Sequence, residues 1–164
     1  MAAWAYSIPM ERRFARKLEP SASPRSPNAR AAGSSLGLAA ASTPHLIHEL
    51  RRGLSFRALE FLSSESGIPV GEIAALIGIP PRTLARRKVS GRLAPAESEG
   101  LLRISRMFEL AVGLFNGGVA EAVAWLRTPR RTLTGSTPLA YSSTELGARE
   151  VETLIGQLVH GVFP

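Results

Sequence analysis

The sequence predicts an all-α fold in which a disordered arm precedes a helix-turn-helix domain and a small second helical domain. From Leu46 onward, apolar residues recur at spacings of three and four, the period of a helix with one buried face. Glycines and prolines stand where these apolar stripes stop, and no segment of useful length alternates apolar and polar residues as a strand does. With 45% apolar residues in 164, the helices can enclose a core. The predicted domains are the arm at 1–45, the helix-turn-helix domain with a long connecting helix at 46–115, and the second helical domain at 116–164.

The arm is rich in Ser, Ala, Pro and Arg. Residues 1–44 carry six basic against two acidic side chains, which supplies four of the seven net positive charges. Prolines interrupt any long helix, and apolar side chains are too few to offset the entropy cost of ordering, so we expect disorder apart from a short helix near residues 10–18. Two alternatives stay open: a transit peptide, which the composition resembles, and an arm lying over a DNA groove.

Four short helices are expected next, each bounded by a recognisable residue. The first starts near Leu46 and stops at Gly53. Ser55 caps the second, and Gly67 ends it. Prolines suit the entry of the third helix, at position 69, and of the fourth, at positions 80 and 81, because the first amides of a helix lack partners within it.

The third and fourth helices, within residues 72–88, have the pattern of a helix-turn-helix motif. Ala74 supplies the small residue needed where the helices cross, and Gly78 tolerates the positive φ of the turn. Apolar side chains fill the wedge between the helices, while polar ones face outward and suit a DNA major groove. The wedge residues are Ile73, Ile77, Ile79 and Leu84, and the outward residues are Arg82, Thr83, Arg86 and Arg87.

Basic residues on and after the fourth helix are the strongest chemical signal in the chain. The predicted DNA-binding residues are Arg82, Thr83, Arg86, Arg87, Lys88 and Arg92. Arg82 and Arg86 lie four apart on one helical face, from which guanidinium groups reach guanine edges or phosphates. Operator DNA is therefore a predicted partner, and a merely solvated helix surface is the alternative. Arg87 stands where many such motifs have an apolar residue, so the end of this helix is expected to pack differently.

A long helix is predicted over residues 95–115. Its apolar stripe is broad and must be covered, either by the core of one chain or partly by a homodimer seam. A further helix, a loop over residues 128–137 and a one-turn helix at 138–141 follow. The final helix begins after Thr144 and leaves through Gly161. Its predicted buried face consists of Val151, Leu154, Ile155, Leu158 and Val159.

The residue inventory argues against catalysis, metal binding and membrane insertion. The absence of Cys excludes disulfides and zinc-finger sites, and Asp is absent as well. His45 and His48 have a chelating spacing but lack further ligands, so we expect them to face solvent. No catalytic triad or phosphate loop is recognisable, which predicts no enzyme, cofactor or small-molecule substrate. No apolar run approaches about 20 residues, and a cytoplasmic protein without membrane contact is expected.

The chain ends in an apolar tail with two interpretations. His160 either favours the negative end of the last helix or contacts a partner. Phe163 either packs back onto the core or enters a pocket on a partner.

Three stretches carry a more specific signal than the helix-turn-helix pattern. They are GIPPRTLARRK at 78–88, AVAWLRTP at 122–129, and residues 137–163 with a GAREVE stretch and an HGV ending. Together they resemble antitoxins of the Xre/MbcA/ParS type, from bacterial type II toxin-antitoxin systems, over residues 47–164. The loop departs from that family, which often has Asn after the Thr-Pro step and a Gly-Gly pair; Arg130 and Thr134–Gly135 stand there instead.

The resemblance implies a two-part antitoxin of the bacterial cytoplasm that needs no cofactor. Its helix-turn-helix would repress its own operon, and its C-terminal toxin-binding domain would cap a RES-domain toxin, which consumes NAD or transfers ADP-ribose from it. The implied toxin-binding residues are Arg149, His160, Gly161, Val162, Phe163 and Pro164, the last five occluding the toxin's NAD pocket. Two alternatives stay open: a stand-alone transcriptional regulator whose C-terminal domain forms a homodimer, and an RNA- or nucleoid-binding protein driven by the basic arm.

Overall fold

The computed structural model describes residues 33–38 and 42–161, and over these ranges the protein is all-α, as predicted. Within them, the only strand-like pairing is an isolated bridge between Ser55 and Arg92. Short 3-10 helices lie at Ser34–Leu36 and Arg131–Leu133. The α-helices are α1 (Thr43–Arg52), α2 (Phe56–Ser66), α3 (Val70–Leu76), α4 (Pro81–Ser90), α5 (Pro95–Leu114), α6 (Val119–Arg127), α7 (Pro138–Tyr141) and α8 (Glu145–Val159).

The long helix α5 is the centre of the fold. Helices α1, α2, α3, α6 and α8 all pack on it. Six of its apolar side chains are at most 1% exposed, and burying a large side chain of this kind contributes about 1.5 to 3 kcal/mol. These residues are Leu101, Ile104, Met107, Phe108, Ala111 and Val112. The broad apolar stripe is therefore covered mainly by the chain's own helices, which supports the intramolecular alternative.

Neither α5 nor any other described helix is long and apolar enough by itself to cross a membrane. Helices α5 and α6, which meet at a bend of 119°, reach that length and apolarity only together.

The helix-turn-helix forms between α3 and α4 as predicted. Gly78 takes φ +76° at the turn, a left-handed conformation that side chains with a Cβ rarely adopt. Ala74, at the crossing, is 1% exposed, and Ile73 and Ile79 are equally buried in the wedge. Ile77 and Leu84 are partly buried against the same core. The packing of this corner thus follows from small and branched apolar residues at fixed spacing.

Three of the described helices have a side-chain cap at the N-terminus, and the cap at Ser55 was predicted. The Ser55 hydroxyl accepts a hydrogen bond from the amide of Arg57, at 3.2 Å. Thr137 caps α7 through the amide of Ala140, and Thr144 caps α8 through the amide of Gly147. Each cap satisfies an amide that has no partner inside its own helix, so each fixes where the helix begins.

The predicted disordered arm is wrong for residues 33–38, while residues 1–32 and 39–41, including the expected helix near 10–18, lie outside the described residues. Leu36 is 3% exposed, and Ser35 donates two hydrogen bonds to Glu109 Oε1, from its amide at 2.9 Å and from its hydroxyl at 2.7 Å. Ser34 Oγ donates a third, at 3.2 Å. Glu109 is buried in the C-terminal half of α5, and a buried carboxyl group needs hydrogen-bond donors, which this segment supplies.

The predicted buried face of α8 is correct except at its end. Val151 and Ile155 are at most 3% exposed, and Leu154 and Leu158 pack partly against the core. Val159 is 42% exposed. At about 100° per residue it lies about 80° around the helix from Val151, at the edge of the stripe and in the last turn, where nothing packs over it.

Candidate functional site

Helix α4 carries the residues that were predicted to form a DNA-reading face. None of its ten residues is buried, because the helix lies on the outside of the fold and only Leu84 packs inward. Arg82, Arg86 and Lys88 are exposed, and no hydrogen bond or ion pair engages their side chains within the described part of the chain. Thr83 is half-buried. The face is therefore cationic and open.

Arg87 does not face outward as predicted. Its guanidinium clamps Glu97 on α5, with Nε 2.8 Å from Oε2 and the terminal nitrogen 2.9 Å from Oε1. The two side chains are 24% and 16% exposed. The Glu97 carboxylate also accepts a hydrogen bond from the amide of Ala94, at 2.7 Å, and so caps the N-terminus of α5. The end of α4 is thus held by a charged clamp where related motifs have an apolar contact.

The clamp stays ionised at neutral pH. Burial raises the pKa of Glu97, but the hydrogen bonds from Arg87 and from the Ala94 amide, with the charges of Arg87 and Arg86, bring that pKa below its ordinary value. The hydrogen bond to Glu97 in turn raises the pKa of Arg87. Two opposite charges in bidentate contact therefore fix the orientation of α4 against α5.

Arg92 is anchored as well, although it remains exposed. Its guanidinium donates to the carbonyl of Gly53 at 2.7 Å, and the neighbouring Leu93 amide donates to Leu54. Gly53 takes φ +84°, and a Cβ there would lie 2.0 Å from the Leu93 carbonyl oxygen. The segment after α4 is therefore tied to the end of α1, with a cation at its surface.

A second candidate surface lies on α8, beside the loop that precedes α7. A cavity of about 410 Å³ opens there. Its lining residues are Thr132, Leu146, Arg149, Glu150, Thr153, Leu154 and Gln157. Leu146 is 71% exposed, and Arg149 pairs with Glu145 in solvent, at 3.1 Å. The Glu150 carboxylate accepts the Tyr141 hydroxyl, and this hydrogen bond raises the pKa of Tyr141.

The predicted toxin-contacting residues do not form one cluster. Arg149 lies in the first half of α8, whereas His160 caps its C-terminus and is exposed. Eleven residues of helix separate them by about 16 Å. Gly161 takes φ +67°, the predicted left-handed exit, and Val162, Phe163 and Pro164 lie outside the described residues. A single partner must be wide to touch both ends of α8.

Sequence reasoning missed two residues on these surfaces, Val89 and Leu146. Val89, on the reading face of α4, is 91% exposed, and Leu146 is the exposed apolar residue of the α8 cavity. Each follows the helical spacing of a residue that was recognised: Val89 lies three after Arg86, and Leu146 lies three before Arg149. The sequence signal that could have identified them is an apolar residue three positions from an exposed arginine, on the same side of a helix.

The two surfaces share one rigid support. Arg103 on α5 donates to the carbonyls of Ser142 and Ser143, at 3.0 and 2.7 Å, which holds the start of α8. On the far side, Arg127 of α6 forms an ion pair with Glu72 of α3. Helix α5 therefore carries both Glu97, which holds the end of α4, and Arg103, which holds the start of α8.

The described residues contain no group of three or more His, Cys, Asp or Glu side chains placed to hold a metal ion. His45 and His48 are exposed on α1, as the sequence predicted. In the loop, Arg130 stacks over the Trp125 ring, 5.2 Å from its centroid.

Comparison with known proteins assigns both halves. Residues 45–106 match the family described as the antitoxin Xre-like helix-turn-helix domain, and residues 110–161 match the antitoxin Xre/MbcA/ParS C-terminal toxin-binding domain. A protein named Antitoxin Xre from Yersinia enterocolitica is 39% identical over 129 residues, which is 78% of this chain and 87% of that protein. One of the same name from Photorhabdus laumondii is 34% identical over 77% of the chain and 86% of its own length. A third, from Pseudomonas putida, is 32% identical over about half of each chain.

Proposed function

The chain belongs to the Antitoxin Xre family, and from this premise we propose that it neutralises a RES-domain, NAD-consuming toxin and represses its own operon. One observation supports both activities: each matched domain presents a separate exposed surface, α4 in the first and the α8 cavity in the second. Because the surfaces lie on different helices, the chain can engage toxin and DNA through different residues.

On the toxin side, the proposed contact begins at Leu146 and Arg149 and continues past the end of α8. An apolar side chain exposed to 71%, beside an exposed arginine that is paired with Glu145, has the composition of an interface anchor with a polar rim. The proposed contact then includes His160 and Gly161, at the C-terminal end of α8, which approach the toxin's NAD pocket. In this proposal the last residues, 162–164, occlude that pocket by filling it.

The occlusion is tested by co-expressing the chain with the RES-domain gene beside it and measuring cellular NAD. The full chain is expected to preserve NAD, and a chain that ends at Val159 is expected to bind the toxin yet fail to protect. Co-purification reports binding separately from protection. If the shortened chain folds and protects NAD as well as the full one, occlusion by the tail is wrong.

On the DNA side, Arg86→Ala is expected to weaken binding to the operator by about 1 to 3 kcal/mol, because a bidentate guanidinium reads guanine from α4. Arg92→Ala should weaken specific and random DNA alike and flatten the salt dependence. Gel-shift titration of the fragment upstream of the gene measures both. Arg51→Ala, an exposed arginine on α1, is the matched control and should change neither. If Arg86→Ala lowers the affinity for specific and for random DNA equally, Arg86 does not read a base.

A stand-alone regulator is the second candidate, because the exposed Leu146 would equally suit a second copy of the chain. That function predicts a homodimer that Leu146→Glu dissociates, with operator binding lost in proportion. Light scattering of the purified chain gives its mass. A mass unaffected by Leu146→Glu excludes α8 as the dimer contact.

A further inference from the structure

Val89 is the most exposed large apolar side chain among the described residues, at 91%. Among the other exposed large apolar side chains, Leu146 is 71% exposed. Ile47, Phe61 and Val159 are between 42% and 44% exposed. An aliphatic side chain left almost wholly in water on a helix end contributes nothing to the fold. Single exposed apolar side chains are ordinary on protein surfaces, so the inference rests on where Val89 lies on α4 and on what surrounds it there.

The helical phase places Val89 on the reading face of α4. At about 100° per residue around the helix axis, Val89 lies about 20° from Arg82 in one direction. Arg86 lies about 40° from Arg82 in the other direction. Ala85 falls within the same sector and is also exposed. The opposite side of the helix is occupied, since Leu84 packs on the core and Arg87 clamps Glu97.

We propose that Val89, supported by the Ala85 methyl group, contacts the 5-methyl group of thymine in the operator. This inference rests on the proposed DNA binding by α4. The thymine methyl is the apolar feature of the major groove, and an aliphatic side chain is its natural partner. The occupant is DNA rather than another protein because the patch is flanked by Arg82, Arg86 and Lys88, a cationic rim complementary to phosphate.

The spacing fixes where that thymine lies. Seven residues of helix place Val89 about 10.5 Å from Arg82 along the axis, which spans about three base pairs. The clamp from Arg87 to Glu97 prevents the end of α4 from tilting away from the groove. The operator should therefore carry a thymine about three base pairs from the base or phosphate that Arg82 contacts.

The test uses the fragment upstream of the gene with thymine replaced by deoxyuridine, which removes only the 5-methyl group. Replacing all thymines of the bound region, and then each alone, locates the position. For the unaltered full chain, one replacement is expected to lower affinity about threefold to tenfold, as burial of one methyl group implies. For Val89→Ala the same replacement should change affinity less than twofold. Val159→Ala, an equally small change on α8, should keep the full effect.

The outcomes separate the two claims. If the unaltered chain shows no preference for this fragment over random DNA, the proposed operator binding fails and this inference fails with it. If the chain binds specifically but thymine and deoxyuridine fragments bind equally, operator binding stands and the methyl contact is wrong. The methyl contact is also wrong if Val89→Ala lowers the affinity for the thymine fragment and for the deoxyuridine fragment by the same factor. It is wrong as well if light scattering shows that Val89→Ala changes the oligomeric mass of the protein.

Discussion

Gly147 and Gly156 are two glycines of α8 for which the structure predicts alanine substitutions of opposite sign. A Cβ at Gly147 would lie 2.0 Å from the carbonyl oxygen of Tyr141 and 3.0 Å from the hydroxyl of its own cap, Thr144. A Cβ at Gly156 would meet no atom within 4 Å. Both lie in helical backbone, so the two substitutions differ in surroundings rather than in conformation.

The magnitudes follow from these distances. A carbon and a carbonyl oxygen approach to about 3.3 Å, so Gly147→Ala must displace the backbone of α7 or α8 by more than about 1 Å. Overpacking against backbone costs about 1 to 3 kcal/mol. Gly156→Ala instead removes a flexible residue from a helix interior and gains about 0.5 to 1 kcal/mol. The two variants should therefore differ by about 1.5 to 4 kcal/mol in free energy of unfolding.

Urea denaturation of the full chain, followed by far-UV circular dichroism, measures this difference. Gly156→Ala is expected to raise the midpoint and Gly147→Ala to lower it, with similar slopes. The slope matters because a changed slope would signal altered unfolded states rather than altered packing. A Gly147→Ala variant as stable as the unaltered chain would refute the close approach of α7 to α8.

Three further changes test local features. Thr134 adopts φ +54°, a left-handed conformation that is strained for a β-branched residue, so Thr134→Gly should raise the free energy of unfolding by up to about 1 kcal/mol; a loss would show that the strain is absent. Ser35→Ala leaves Glu109 without its shortest hydrogen bond and should lower the free energy of unfolding by about 1 to 3 kcal/mol, whereas an unchanged free energy of unfolding would show that residues 33–38 are not held to α5. Because the folded pKa of Glu97 is depressed, its stabilisation is present above the ordinary glutamate pKa of about 4.3 and is lost as pH falls through the folded value. The difference in stability between the unaltered chain and Glu97→Gln should therefore shrink in acid, and a difference independent of pH would contradict the clamp.

Local signals in the sequence were sufficient for most of the fold. Ser55 caps the helix it was predicted to cap, because a cap depends on residues only two or three positions away. The turn at Gly78 was predictable for the same reason. Thr134 adopts a positive φ, a conformation that glycine takes without steric cost.

Contacts between distant residues could not be predicted in this way. Ser35 and Glu109 are 74 positions apart, and no periodicity relates them. Glu97 lies only ten residues after Arg87, but the turn between α4 and α5 decides whether they meet. At the reading face, the search for charge found Arg82 and Arg86 but passed over Val89, because apolar residues are ordinarily assigned to the core. Exposure of Arg82 and Arg86 on α4 was predicted, and exposure of Val89 beside them was not.

The central claim, that the chain neutralises a RES-domain toxin through α8, is tested most directly by titrating the purified full chain into the purified toxin encoded beside its gene and following NAD consumption. Consumption is expected to fall to zero at a fixed molar ratio. Leu146→Glu should require a large excess, while Val89→Glu, a matched change of an exposed apolar residue on α4, should behave like the unaltered chain. Undiminished NAD consumption in the presence of excess unaltered chain would contradict the account.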